Sequence, residues 1–316
     1  MTGELTLRVE AATRVADDVV ALDLQRPDGR PLPAWTPGAH VDVVLPDGLG
    51  ERQYSLCGDP ADGTRWRIAV LREDGGRGGS LALHALVPGD AVAVRGPAHH
   101  FAFEPTPGRP HLLVAGGIGI TPIAAMVRAA AAAGVDWRLV YAGRSRTSMA
   151  FVDELVEAHG YRVEVFAGDE GVRVDVAALV AAAPDAVVHC CGPARLIEAV
   201  EAAWTGRPPG RLHLERFEAK QVGAPVLDGP FEVELLLSGI TVTVPPERSI
   251  LETVEEAGVL ALASCRTGTC GTCEVPVVEG EVDHRDSVLS PEEQQDGFAM
   301  MICVSRAACP RIVIEL

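Results

Sequence analysis

Between residues 4 and 104, apolar and polar positions alternate in short runs. Leu5-Thr6-Leu7-Arg8-Val9, Val20-Ala21-Leu22-Asp23-Leu24 and Val41-Asp42-Val43-Val44-Leu45 are the clearest, with further runs at 51–57, 65–72 and 90–95. A period of two sends successive side chains to opposite faces of a strand, so each run reads as a half-buried strand. Gly, Pro and Asp punctuate the runs, as at the turn Pro46-Asp47-Gly48. Many short strands at this spacing predict a small antiparallel barrel. One helix interrupts it at Ser80–Leu86, with Ser80 as its N-cap.

The pattern changes at 109–216. His111–Ala115 is a continuous apolar run followed by a Gly-rich turn and an Ala-rich helix at 122–133. Trp137–Ala142, Arg162–Ala167 and Ala186–Cys190 read as further buried strands, with helices at 148–159, 175–182 and 194–204. Strand and helix in alternation predict a parallel sheet covered on both faces. Residues 218–230 then read as a linker. Beyond it, 231–237 and 240–244 form a hairpin around Ser238-Gly239, a helix covers 249–257, and strands are expected at 273–278 and 311–315. The domains are accordingly 1–106, 107–222 and 226–316.

The 316 residues exceed one ordinary core and suit two or three domains. The 27 basic residues against 44 acidic ones give −17, a charge that repels nucleic acid and anionic membrane. Residues 226–316 hold 16 acids and 5 arginines, a net of −11, which reads equally as solubility or as an acidic docking face. No apolar run is long enough to span a bilayer. The opening Met1-Thr2-Gly3-Glu4 runs straight into alternating residues, so a cytoplasmic protein without an export signal is expected, and a monomer.

Three of eight cysteines fall within nine residues: Cys265-x4-Cys270-x2-Cys273, with Cys303 and Cys309 downstream. That is the plant-type 2Fe–2S spacing, with Cys303 the favoured fourth ligand and Cys309 its competitor. A structural zinc site is the alternative, although zinc sites usually pair two x2 knuckles. Gly268 and Gly271 suit the sharp turns of such a loop. Arg52, Tyr54 and Ser55 supply a cation, an aromatic face and a hydroxyl, a set that ordinary surface strands also carry. Gly78-Gly79-Ser80 opens a helix and offers amides and a hydroxyl to an anion. Gly116-Gly117-Ile118-Gly119-Ile120-Thr121-Pro122 follows a strand and opens another helix, where glycines let the backbone approach a pyrophosphate. It reads G-x-G-x-x-P, so it departs from the dehydrogenase fingerprint.

These motifs together resemble the phthalate dioxygenase reductase and vanillate demethylase reductase family, across the whole chain and in the family's order. The segments that carry the likeness are Ser264–Cys273, Ile302–Ala307, Arg52–Leu56, Gly76–Ser80, Val114–Pro122, Cys191-Gly192-Pro193 and His213–Phe217. The resemblance implies a multidomain chain: an antiparallel β-barrel flavin domain, an α/β nicotinamide domain and an α+β β-grasp ferredoxin domain. It implies FMN held by Arg52, Tyr54, Ser55, Gly78, Gly79 and Ser80. Nicotinamide would sit against Gly117, Gly119, Thr121, Cys191, Gly192 and Pro193, with Thr121 reaching toward the flavin and Cys191 orienting hydride transfer. Phe217 would lie on the flavin face. Cys265, Cys270, Cys273 and Cys303 would hold the cluster. Arg144 and Arg146 would hold a 2′-phosphate or pyrophosphate, whereas Asp169 and Glu170 would suit a free ribose; the family favours NADH, with NADPH possible. The implied activity is electron transfer from NADH to a terminal oxygenase, either a Rieske-type oxygenase or a haem-thiolate monooxygenase. A zinc-stabilised interaction protein is the reading from another class.

Overall fold

The computed structural model describes residues 3–46, 48–208 and 210–316. Met1, Thr2 and Asp47 of the expected turn lie outside the described residues. The chain forms two compact units, Met1–Glu215 and Arg216–Leu316.

The first unit opens with six antiparallel strands: β1 (Leu5–Ala16), β2 (Val19–Gln25), β3 (Ala39–Val44), β4 (Glu51–Ser55), β5 (Arg65–Leu71) and β6 (Ala91–His99), in the order β4-β3-β6-β1-β2-β5. A bridge between Leu56 and Ile68 joins the two edges, so the sheet closes. The alternation seen in the sequence sends Leu7, Val9, Leu22, Leu24, Val41, Val43 and Ile68 inward. Helix α1 (Gly79–His84) starts one residue earlier than expected, and its N-cap is Gly78, at φ +83°. The Ser80 hydroxyl caps nothing. It accepts from Glu73 N–H at 3.0 Å and closes the 73–80 loop.

Five parallel strands follow: β7 (His111–Gly116), β8 (Trp137–Gly143), β9 (Val163–Ala167), β10 (Val187–Cys191) and β11 (Leu212–Glu215), in the order β11-β10-β7-β8-β9. Helices α2 (Ile120–Ala133), α3 (Val152–His159), α4 (Val176–Ala181) and α5 (Ala194–Trp204) connect them. The alanines of α2 have a packing reason. Ala124 and Met126 join the core beneath the sheet while Ala125 packs into the barrel core, so a narrow helix is wedged between the two. Barrel and parallel sheet therefore share one interior.

The second unit holds β12 (Phe231–Leu235), β13 (Ile240–Val244), α6 (Ile250–Glu256), β14 (Glu274–Glu279), β15 (Val282–Asp283), α7 (Pro291–Asp296), β16 (Ala299–Met301), β17 (Arg306–Ala307) and β18 (Arg311–Ile314). The main sheet runs β13-β12-β18-β14-β16, with β12 and β18 parallel. A capping box between Ser249 and Glu252 starts α6. Its Ile250, Leu251 and Val254 pack with Phe231, Val233 and Ile312. The architecture is a barrel, a parallel α/β sheet and a ferredoxin-like mixed sheet. Among the described residues no helix is long and apolar enough to cross a membrane.

Candidate active site and metal centre

Strand order reverses between β7 and β10, since β8 and β9 lie on one side of β7 while β10 and β11 lie on the other. Crevices at the C-terminal ends of such a switch point are where open parallel sheets bind ligands. Here the two strand ends touch backbone to backbone. A Cβ on Gly119 would stand 2.3 Å from the Cys191 carbonyl oxygen and 2.7 Å from Gly192 N. One on Gly116 would stand 2.7 Å from both Leu196 and Pro193. The glycine turn and the Cys191-Gly192-Pro193 segment thus form one surface. Gly117 stands at φ +52° with open space around its α-carbon. Thr121 is buried, and its hydroxyl donates to Ile118 O at 3.0 Å, which ties the turn to the first turn of α2.

Cys191 lies beside Glu215 of β11 in register, with Sγ 3.7 Å from Oε2. Burial pushes the Glu215 carboxyl up to about 8, so it holds a proton at neutral pH. Burial likewise raises the Cys191 thiol, with Glu215 adding to the effect, so this sulfur is a neutral donor and not a nucleophile. Glu215 lies within His213–Phe217, but its role depends on Cys191, a neighbour in space and not in sequence. Phe217 opens the second unit and is 45% exposed.

Arg144 is exposed just past β8. Arg146 is committed: its Nε donates to Glu170 at 2.5 Å. Asp169 N–H donates to Arg144 O, which brings the two acids to the same edge.

In the barrel, Arg52, Tyr54 and Ser55 of β4 pair with Val43, Val41 and His40 of β3. Gly79 lies against them. A Cβ there would meet Leu45 at 2.7 Å and Arg52 Cγ at 3.2 Å, so only glycine lets the α1 backbone approach Arg52. Desolvation lowers the Arg52 pKa, and the nearby Arg77 guanidinium lowers it further. Arg77 is near enough for its charge to be felt at Arg52, beside the Gly78-Gly79 turn, a setting that suits an anion such as a phosphate. Arg77 lies within Gly76–Ser80, where the glycines and the serine alone signal an anion site in the sequence. Tyr54 is half-buried, and burial raises its phenol to about 12, so it offers a neutral ring. The Ser80 hydroxyl is engaged with Glu73, which leaves only its backbone for an anion.

The second unit brings four sulfurs together. Cys265 is within hydrogen-bonding reach of Cys270 and of Cys303, and Cys273 of Cys303. The S–H groups of Cys270 and Cys303, then the Thr267 amide, hold the Cys265 thiol well below its usual range. The same contact raises Cys270 and Cys303. Thr267 and Thr269 aim N–H groups at Cys265 Sγ, at 3.4 and 3.5 Å. Gly268 and Gly271, at φ +72° and +73°, make the turns that aim them. Cys265 neighbours both Cys270 and Cys303, and Cys303 also neighbours Cys273, so the four sulfurs form one continuous group whose donor type and spacing fit a 2Fe–2S cluster. Cys309 is elsewhere, its sulfur accepting from Glu281 N–H and donating to Arg311 O.

Residues 233–308 match the model of the 2Fe-2S iron-sulfur cluster binding domain, and 113–202 that of the oxidoreductase NAD-binding domain. Phenoxybenzoate dioxygenase subunit beta from Ectopseudomonas oleovorans is 44% identical over 99% of this chain and 97% of its own length. The crystal structure of phthalate dioxygenase reductase, described as a modular structure for electron transfer from pyridine nucleotides to [2Fe-2S], is 38% identical. It covers 99% of this chain and 98% of that one, with a TM-score of 0.71. The chain belongs to the phthalate dioxygenase reductase family. A member of this family is an oxidoreductase working with a nicotinamide cofactor, FMN and a 2Fe–2S cluster. A type IV self-sufficient cytochrome P450 monooxygenase contains a similar stretch, 44% identical with a TM-score of 0.90, covering 99% of this chain and 41% of that one.

Proposed function

We propose that this chain is the reductase component of an oxygenase system and delivers electrons from NADH to a separate terminal oxygenase. The observation that carries the reading is the full-length likeness to a dioxygenase subunit and to phthalate dioxygenase reductase, with an NAD-binding and a 2Fe-2S domain in that order on one chain. When bound, FMN takes electrons as a pair from nicotinamide and yields them singly, and a 2Fe–2S cluster carries one at a time. Arg52, Arg77 and the Gly78-Gly79 backbone hold the flavin phosphate, and Tyr54 and Ser55 contact its ring. Gly117, Gly119, Gly192 and Pro193 receive the nicotinamide nucleotide, while Thr121 and Cys191 set its angle to the flavin. Glu215, protonated, donates to the nicotinamide amide. Cys265, Cys270, Cys273 and Cys303 ligate the cluster. NADH is the donor because Glu170 already neutralises Arg146 and Asp169 stands beside it, so a 2′-phosphate would meet two carboxylates.

The similarity to the self-sufficient monooxygenase supports a second acceptor, a haem-thiolate enzyme. The test is reconstitution of the purified reductase with each class of oxygenase. Product formation with a Rieske-type oxygenase supports the main reading; turnover only with a haem-thiolate enzyme replaces it. The −11 of residues 226–316 favours a basic partner face, so delivery should slow as salt rises.

A further inference from the structure

The segment between β11 and β12, residues 216–230, has the composition of a free linker, yet three of its residues are tied to one loop of the second unit. Lys220 N–H donates to Ser287 Oγ at 2.8 Å. Val226 N–H donates to Asp283 Oδ2 at 3.1 Å. Arg285 Nη2 donates to the Gly223 carbonyl at 2.7 Å, while its Nη1 donates to the same Asp283 carboxylate at 3.1 Å. The Asp283 and Arg285 side chains are only 12% and 14% exposed, so this ion pair is partly shielded from water.

The 283–287 loop also backs the cysteine loop. Ser287 N–H donates to Gly268 O at 2.8 Å. Arg285 N–H donates to Ser305 Oγ at 3.2 Å, and Ser305 Oγ to the buried Asp286 carboxylate at 3.3 Å. Asp286 is fixed in turn by Val288 and Leu289 N–H. Ser287 therefore carries the cysteine loop on its amide and the linker on its hydroxyl.

We infer that Ser287, Asp283 and Arg285 are positioning residues that reel the linker onto the ferredoxin unit and so set how far the cluster can travel from the flavin unit. The inference rests on the proposed electron path. Fifteen residues, 216–230, separate β11 from β12, but only 216–219 precede the first anchor. At full extension the first span reaches about 50 Å and the second about 14 Å. A tethered encounter has an effective concentration that falls with roughly the −3/2 power of tether length, so the clamp raises it about five-fold or more. The clamp's contacts lie in the same loop that braces Gly268, so the tether is held by the element that shapes the cluster site.

The test uses the full-length chain loaded with FMN and cluster. Hydrogen exchange is followed at the Lys220 and Val226 amides, and stopped-flow mixing with NADH separates flavin reduction from cluster reduction. The variants are Arg285→Ala, Arg285→Ala with Ser287→Ala, and Ser287→Thr, which keeps the acceptor. In the unsubstituted protein both amides should be protected at least about ten-fold. In the double variant protection of the Lys220 amide should vanish, that of Val226, whose Asp283 acceptor has lost Arg285, should fall, and flavin-to-cluster transfer should slow about five-fold. Flavin reduction, iron content and cluster absorbance should stay unchanged. Ser287→Thr should behave as the unsubstituted protein, and Arg285→Ala should show the intermediate effect even if the double variant fails to fold. Free-peptide exchange at both amides in the unsubstituted protein overturns the inference, as does lost protection with an unchanged transfer rate. If NADH never reduces the cluster, the proposed path fails, whereas amide exchange still decides the clamp.

Discussion

The nicotinamide crevice is made where regular elements end, and the cysteine loop is made where regular elements are missing. In the crevice, β7 and β10 bring Gly119 within van der Waals range of Cys191 through sheet geometry alone, and side chains add little. In the cysteine loop, Arg266, Gly268 and Gly271 take positive φ, the Ser287 amide donates to Gly268 O, and Val304 packs against Gly268. The first kind of site is specified by periodicity and by close approach of backbone at the strand ends. The second is specified by individual contacts and tolerates few changes in its side chains.

Single substitutions should separate the two sites. The largest effect is expected from Cys303→Ser, which should abolish the 2Fe–2S spectrum and leave NADH-driven ferricyanide reduction intact. Cys309→Ser should keep the spectrum, because that sulfur is engaged with Glu281 and Arg311. Iron analysis and absorbance check both; the reverse outcome would exchange the ligands.

Gly119→Ala comes next. Its methyl would overlap the Cys191 carbonyl, so the two strand ends must part. Misplacement on that scale should slow flavin reduction by NADH about 100-fold while leaving the cluster loaded. Gly268→Ala should do the converse, since its methyl would stand 2.5 Å from Val304 at a φ that disfavours any Cβ. Stopped-flow rates and iron content on the same two variants would show whether the sites are independent.

How much of this was legible follows the same division. The strands and helices of 111–204 were readable because buried parallel strands are continuous apolar runs bounded by glycine; α5 falls on the residues expected. β15, β16 and β17 were not, because strands of two or three residues have no periodicity and exist only through their partners. The six-residue helix α7 was likewise missed, although Ser290 and Glu293 form a capping box ahead of it. The Ser80 N-cap was misplaced because the preceding Gly78 adopts the positive φ that starts the helix. Arg77 and Glu215 stood in view inside quoted motifs, but their importance depends on spatial neighbours, Arg52 and Cys191. The linker clamp joins residues some 60 apart and leaves no local signal.

A smaller effect is expected at the flavin. Arg52→Ala removes one charge-assisted phosphate contact, about 1.5–3 kcal/mol, so the FMN dissociation constant should rise roughly 10- to 100-fold by fluorescence titration. Unchanged retention would remove Arg52 from the cradle and leave Arg77 as its cation.

Another prediction concerns pH. Burial raises Glu215 from 4.5 to about 8, so the folded state binds a proton that the unfolded state releases. Its contribution to stability is complete below about 4.5 and is lost as pH rises through about 8. Glu215→Gln should therefore flatten the decline in stability of the first unit between those pH values. Denaturant melts of both proteins across that range check it, and parallel curves would mean that Glu215 is ionised in the fold.

The most direct measurement of the central claim is an anaerobic NADH titration of the purified protein, with FMN, iron and zinc quantified on the same sample. The account predicts one FMN and two irons per chain. It also predicts bleaching of flavin and cluster bands between about 400 and 550 nm, complete near 1.5 equivalents of NADH, because three electrons fill the two centres. FAD in place of FMN, zinc in place of iron, or an endpoint at about one equivalent with the cluster bands intact would contradict it.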